Sequence, residues 1–248
     1  ILDRDGWNEV DKLAKDVDVA IVSVPIHVTH QVILDLAPHL NPNTILSDFT
    51  SNKNGLLELM MDVHPGPVVS LHPMHGPDVP NLSKQLLLVC RGRDDEQMDW
   101  LLKQFSLWGM RVKEVDPQKH DHAMHMIQGL RHFVALLHGS FMRYYDLRPE
   151  DIIDFSSPIY RAELMMTGRI FAQDPSLYAD IVLSNEERRE LLLNFFKHHQ
   201  RLSELVEKDD KESFVKEFEA VHEFFGDFAD QALKESSYLI NRLSDRFA

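Results

Sequence analysis

The chain has 248 residues, 44% of them apolar, a formal net charge of −14 and one cysteine, Cys90. This composition supplies one or two packed cores and excludes a disordered chain, and the negative charge, with no basic stripe to offset it, excludes a nucleic-acid binder. No apolar run reaches the ~18 residues of a membrane span, the opening "ILDRDGW" lacks a signal peptide's basic flank, and a lone cysteine forms no internal disulfide, so a cytoplasmic setting is expected.

Short β-rich runs alternate with amphipathic segments through the first half. "DVAIVSVP" (18–25), "TILSDFT" (44–50) and "PVVSL" (67–71) predict strands, with helices over "HVTHQVILDLAPHL" and "NGLLELMMDV" between them. "QLLLVCRG" and "RVKEV" predict two more strands around the helical "DDEQMDWLLKQFSLWG", where Gly109 stands at the place of a helix C-cap. Strands alternating with helices predict a mainly parallel sheet covered on both faces, in which ligands bind outside the carboxyl ends of the strands.

From residue 116 onward the pattern is helical. Asp116 and Pro117 predict the start of a long helix through "HDHAMHMIQGLRHFVALLHGSFMRYY", and Asp174 with Pro175 a second start. Ser184 and Glu187 have the spacing of a capping box opening a helix with Leu191, Leu192, Phe195 and Phe196. The last 40 or so residues predict two amphipathic helices split at "EKDDKES". The expected architecture is an α/β domain over 1–115 and an all-α domain over 116–248.

Among the 14 histidines, His72 stands out, because it ends a buried-looking strand and is followed at once by Pro73. His72, His75, His120, His122, His125 and His132 do not have metal-site spacing: no HExxH occurs, and His125 and His132 lie two turns apart. Hence no metal is expected. No GxSxG elbow occurs either, and Cys90, inside a strand-like run, is expected to be an inert core thiol.

"AIVSVPIHVTHQVI", "LHPMHGPD", "KHDHAMHMIQGLRHF", "SSPIYRAELMMTGRIFAQDPSLYADI" and "FFGDFA" together resemble prephenate dehydrogenase, in particular the dehydrogenase half of bacterial enzymes that join it to a chorismate mutase. The resemblance runs over nearly the whole chain and rests on long, ordered motifs. It implies a Rossmann-like sheet domain, with its N-terminal part missing, followed by an all-α dimerisation domain. The implied activity is NAD-dependent oxidative decarboxylation of prephenate to 4-hydroxyphenylpyruvate in tyrosine synthesis. Tyrosine becomes a candidate feedback ligand and a symmetric homodimer the expected assembly.

The resemblance also assigns residues. His72 matches the family's catalytic histidine, and the chemistry agrees: hydride loss from the carbon bearing the ring hydroxyl needs a base for the hydroxyl proton, which a neutral imidazole supplies near pH 7. The bland alternative is a histidine that merely caps the strand. Ser51 matches the serine that contacts both that histidine and the nicotinamide, and Lys53 matches too, as a substrate-binding residue, although Thr50 and Asn52 depart from the commoner Ala-Ser-Val-Lys. Arg169 matches the arginine that binds the ring carboxylate; on an apolar helix, a buried unpaired guanidinium would require an anion. Arg161 competes with it, but Glu163 and other acids stand close in sequence. His120 matches a substrate-site histidine and Gln128, two turns on, is expected at the substrate as well, while Arg131 and His132 are expected to be structural or interfacial.

One departure is large. No GxGxxG turn occurs, although a dinucleotide fold begins with one at the N-terminus of its first helix. The chain therefore has the look of a fragment whose "ILDRDGW" ends the second strand, with Asp3 placed for the adenosine ribose and against a 2′-phosphate. Ser23 and Pro25 fall where the next strand passes the cofactor. Without the glycine turn, the fragment alone is expected to bind NAD poorly and to leave the edges of "DVAIVSVP" and "ILDRD" unpaired. Two rivals remain: a 3-hydroxyacid dehydrogenase of the same two-domain shape, and a non-catalytic dimerisation fragment.

Overall fold

A computed structural model describes residues 3–53, 55–76, 78–93 and 96–247. The chain forms two compact units, Ile1–Gln128 with Ala179–Ser184, and Gly129–Tyr178 with Asn185–Ala248. The change from strands to helices comes at 115–117, as the sequence predicts, but the units part some dozen residues later, within one helical run.

The first unit is a five-stranded sheet in the order β1 (Val19–Val22), β2 (Ile45–Asp48), β3 (Val68–Pro73), β4 (Leu86–Arg91) and β5 (Arg111–Glu114). All neighbours are parallel except β3 and β4. Helices α1 (Val10–Ala14), α2 (Ile26–Leu36), α3 (Leu56–Val63) and α4 (Glu96–Leu107) accompany the strands. The period of two along each strand splits the core. Val22, Leu46, Val68 and Cys90 join Ile33, Leu36, Leu57 and Met60 on one face. Ile45, Val69, Leu71, Leu87 and Val89 join Met98, Leu102 and Phe105 of α4 on the other. With both faces covered, β2, β3 and β4 are buried almost throughout and read as apolar runs, as parallel sheets do. Gly109, at φ 87°, ends α4 as expected, in a backbone region that side chains disfavour.

"ILDRDGW" departs from expectation. Ile1 and Leu2 lie outside the described residues, and Arg4–Glu9 form a 3-10 helix opened by a 2.8 Å bond from the Gly6 N–H to the Asp3 carbonyl. Asp3 thus precedes a turn.

Asp116 caps α5 (Pro117–Met124), accepting from the Lys119 N–H at 3.0 Å. The run continues as a π-helix, His125–Leu130, and as α6 (Arg131–Tyr144). α7 (Pro149–Ile152), α8 (Pro158–Phe171) and α9 (Pro175–Val182) follow, the Asp174 carboxylate accepting from the Ser176 N–H at 2.9 Å. α10 (Glu186–Glu207) is capped by Asn185, which accepts from the Arg188 N–H at 2.8 Å, so the cap lies one residue beyond the expected Ser184. The break at "EKDDKES" separates α10 from α11 (Lys211–Phe225), with Asp209 at φ 52°. A further break at Gly226, φ 51°, separates α11 from α12 (Asp227–Phe247), because a positive φ cannot continue a right-handed helix. No helix among the described residues is long and apolar enough to cross a membrane.

In the second unit Arg188 is fully buried against Gly129, where a Cβ would meet its side chain at 2.7 Å. His132 packs edge-on against Tyr178. Burial, then the charges of Arg131 and Arg188, hold its imidazole below the usual histidine range. Large apolar side chains stand in water, Phe155 at 91% exposure and Phe224 at 87%.

Candidate active site

Val22, Asp48 and His72 lie toward the carboxyl ends of the three parallel strands. Asp48 pairs in register with Ser70, two residues before His72, and strand parity puts Asp48, Ser70 and His72 on one face of the sheet. That juxtaposition places a carboxylate beside the histidine's strand.

Asp48 is completely buried and fully engaged. Its carboxylate accepts from the hydroxyls of Thr50 and Ser70, from the Thr50 N–H at 2.7 Å, and from the Lys53 ammonium at 2.8 Å. The ammonium also donates to the Leu71 carbonyl at 2.7 Å. A buried ion pair must offset the loss of two hydration shells, which it does only when the remaining lone pairs and protons find partners. Here the Asp48 carboxylate accepts four hydrogen bonds and the Lys53 ammonium donates two, so the loop after β2 is tied to the end of β3. Lys53, expected at the substrate, has its side chain 0% exposed, with its ammonium held by Asp48 and the Leu71 carbonyl.

His72 is next along β3. Its Nδ1 lies 2.9 Å from His120 Nε2, the rings meeting edge to face with centroids 5.1 Å apart. His120 Nδ1 lies 2.7 Å from Asp121 Oδ1, and the Asp121 carboxylate also accepts from the Lys53 N–H, at 3.0 and 3.2 Å to its two oxygens. Gln128 Nε2 stands 3.3 Å from His72 Nε2. The π-helical turn matters here: its wider i→i+5 spacing shifts the phase of Gln128 relative to His120 on the preceding α5. His72, His120, Asp121 and Gln128 thus form one connected group.

Three sequence expectations, His72, His120 and Gln128, come together in it. Ser51 does not. It is half-buried and makes no hydrogen bond among the described residues, and the group bonded to His72 Nδ1 is His120. The cause is local: Thr50 and Lys53 are drawn onto Asp48, which leaves Ser51 on the intervening bend. Ser23 and Pro25 are exposed just past β1, Pro25 preceding α2. Asp3 is exposed. Arg169 lies on an exposed face in the last turn of α8, which corrects the expectation that burial would force an anion upon it. The Cys90 thiol is pushed up to about 12, first by burial, and is a core group as expected.

Asp48 and Asp121 were missed by sequence reasoning. Each carried a signal: an acid closing the apolar strand "TILSDF", and an acid directly after His120. Among the described residues no group of three or more His, Cys, Asp or Glu side chains is arranged to hold a metal ion.

Two family models match: "Prephenate dehydrogenase, nucleotide-binding domain" over residues 4–92 and "Prephenate dehydrogenase, dimerization domain" over residues 116–220. The chain is 41% identical to a T-protein of Enterobacter agglomerans over 98% of its length, and 39% identical to a T-protein of Haemophilus influenzae over 99%. It spans 65% of the length of each of those proteins. Among solved structures, a prephenate dehydrogenase of Aquifex aeolicus with hydroxyphenyl propionate and NAD+ superposes with a TM-score of 0.69 at 20% identity, over 87% of this chain and 77% of that one. An arogenate dehydrogenase of Synechocystis gives 0.66 at 18%, over 90% and 81%. These two establish the shared fold.

Proposed function

The chain belongs to the prephenate dehydrogenase family, and from that premise we propose that its parent protein oxidises and decarboxylates prephenate to 4-hydroxyphenylpyruvate with NAD+ in tyrosine synthesis. The observation that carries this reading is the group at the end of β3: an imidazole backed by a second imidazole and a carboxylate.

His72 Nε2, the nitrogen turned away from His120, takes the proton of the ring hydroxyl. His120 Nε2 holds the other side of the ring, so the imidazole keeps its orientation as its charge changes. NAD+, when bound, supplies the acceptor for the hydride leaving the same ring carbon. Departure of the ring carboxylate as CO2 aromatises the ring, so no further residue is required to drive that step. Arg169 is the proposed anchor for that carboxylate, because its planar fork can hold it bidentately. Gln128, beside His72, is the proposed polar contact for the substrate.

The residues fit the cofactor. In such sheets dinucleotides lie outside the carboxyl ends of parallel strands, and Ser23 and Pro25 are exposed just past β1, with Ser51 past β2. We assign these three to the cofactor, and Asp3 to its ribose hydroxyls. A homodimer through the helical domain, tyrosine as feedback ligand and a cytoplasmic location complete the reading; the family's dimerisation model over residues 116–220 and the exposed Phe155 and Phe224 support the dimer.

The test offers the full-length parent protein NAD+ with prephenate, with arogenate and with 3-hydroxyacids. Prephenate is expected to be turned over with the highest kcat/KM. Turnover confined to 3-hydroxyacids overturns the reading.

A further inference from the structure

We infer that Asp121 is a positioning residue that fixes which nitrogen of His72 carries the lone pair that accepts a proton, acting through His120; the inference rests on the reading of His72 as the base. An ionised carboxylate can only accept hydrogen bonds, and Asp121 takes them from the Lys53 N–H and from His120 Nδ1. His120 therefore carries its proton on Nδ1, which leaves the lone pair of its Nε2 facing His72 Nδ1 at 2.9 Å. That contact is a hydrogen bond only if His72 Nδ1 is the donor. The remaining lone pair of His72 is then on Nε2, where the Gln128 amide N–H rests at 3.3 Å. One carboxylate two rings away thus dictates the tautomer of the base.

Charge points the same way. The hydrogen bonds link the two rings to Asp121 and, through Lys53, to Asp48, all three buried, and to the neutral Gln128. These three charged groups carry one net negative charge between them, which favours a proton arriving on His72. In a low-dielectric setting that stabilises the imidazolium formed during the reaction. Lys53 does not cancel the effect, because its ammonium is already committed to Asp48 at 2.8 Å.

The decisive variant is Asp121→Asn in the full-length protein. The amide can donate to His120 Nδ1, reversing that ring; its Nε2–H would then face His72 and force the proton of His72 onto Nε2. Turnover of prephenate is expected to fall roughly 10²-fold, with KM little changed and the acid limb of the pH profile moved to lower pH. Asp121→Glu should recover part of both. Nitrogen-15 NMR reads the tautomers without activity: in the unaltered protein His72 and His120 should each carry the proton on Nδ1, a result that does not depend on any variant folding. The opposite tautomer at His72, or an Asp121→Asn enzyme with an unaltered pH profile, overturns the inference. Failure of the unaltered parent enzyme to turn over prephenate would instead overturn the proposed function and leave the NMR result standing.

Discussion

The Lys53 ammonium donates to the Leu71 carbonyl at 2.7 Å, one residue before His72, so the loop after β2 fastens the strand that carries the proposed base. Its other partner, Asp48, makes this a buried pair with no solvent to take up a stranded charge. Removing only the cation should therefore be worse than removing both charges. Lys53→Met is expected to cost about 3–5 kcal/mol of unfolding free energy, and adding Asp48→Asn should return part of it. Urea denaturation of the two variants checks the order; equal losses would show that the pair is not the source.

For His72 the expected signature is kinetic. His72→Asn keeps a polar side chain of similar reach but has no imidazole, and general-base help is worth roughly 10² to 10⁴ in rate. Turnover by the parent protein should fall within that range, while the KM for prephenate changes little. Near-normal turnover would return His72 to the role of a strand cap.

Arg169 should show the reverse pattern. Because it is exposed on α8, its contribution is that of a charge-assisted hydrogen bond and not of a buried ion pair. Arg169→Gln is expected to raise the KM for prephenate roughly 10- to 100-fold, as loss of about 1.5–3 kcal/mol implies. Titration of NAD+ should give a nearly unaltered Kd; a larger effect on NAD+ than on prephenate would refute the assignment.

His64 governs part of the acid stability. Burial, opposed by the Thr44 carbonyl and aided by the Arg93 charge, holds its imidazole below the usual value of 6.5. Above 6.5 the ring is neutral in both folded and unfolded chains and pH has no hold on it. Below 6.5 the unfolded chain takes up a proton that the folded one resists, so stability falls with pH, by at most about 1.4 kcal/mol per unit for one group. His132, lowered likewise, acts in the same window. His64→Gln, whose amide can still donate to the Thr44 carbonyl, should flatten the slope just below pH 6.5 in urea denaturation. An unaltered slope would place the effect elsewhere.

The sequence alone determined the strand and helix order of the first half, because apolar strands of four to six residues bounded by turn signals leave few alternatives. It determined the caps at Asp116 and Gly109 through local chemistry, and it singled out His72, since an imidazole ending a buried run is conspicuous without any fold. Tertiary structure decided what those residues touch. Nothing in the spacing of Asp48, Lys53, Leu71 and Asp121 shows that they share a site; parallel register and the β2–α3 loop bring together positions 68 residues apart. For the same reason Lys53 read as a substrate cation and Arg169 as a buried one, when the first is buried and the second exposed. Burial is a property of the packed sheet and helices, and residue type sets it only on average. The π-helical turn that brings Gln128 to His72 was equally invisible, because it changes the phase of a helix without changing its apolar period enough to read.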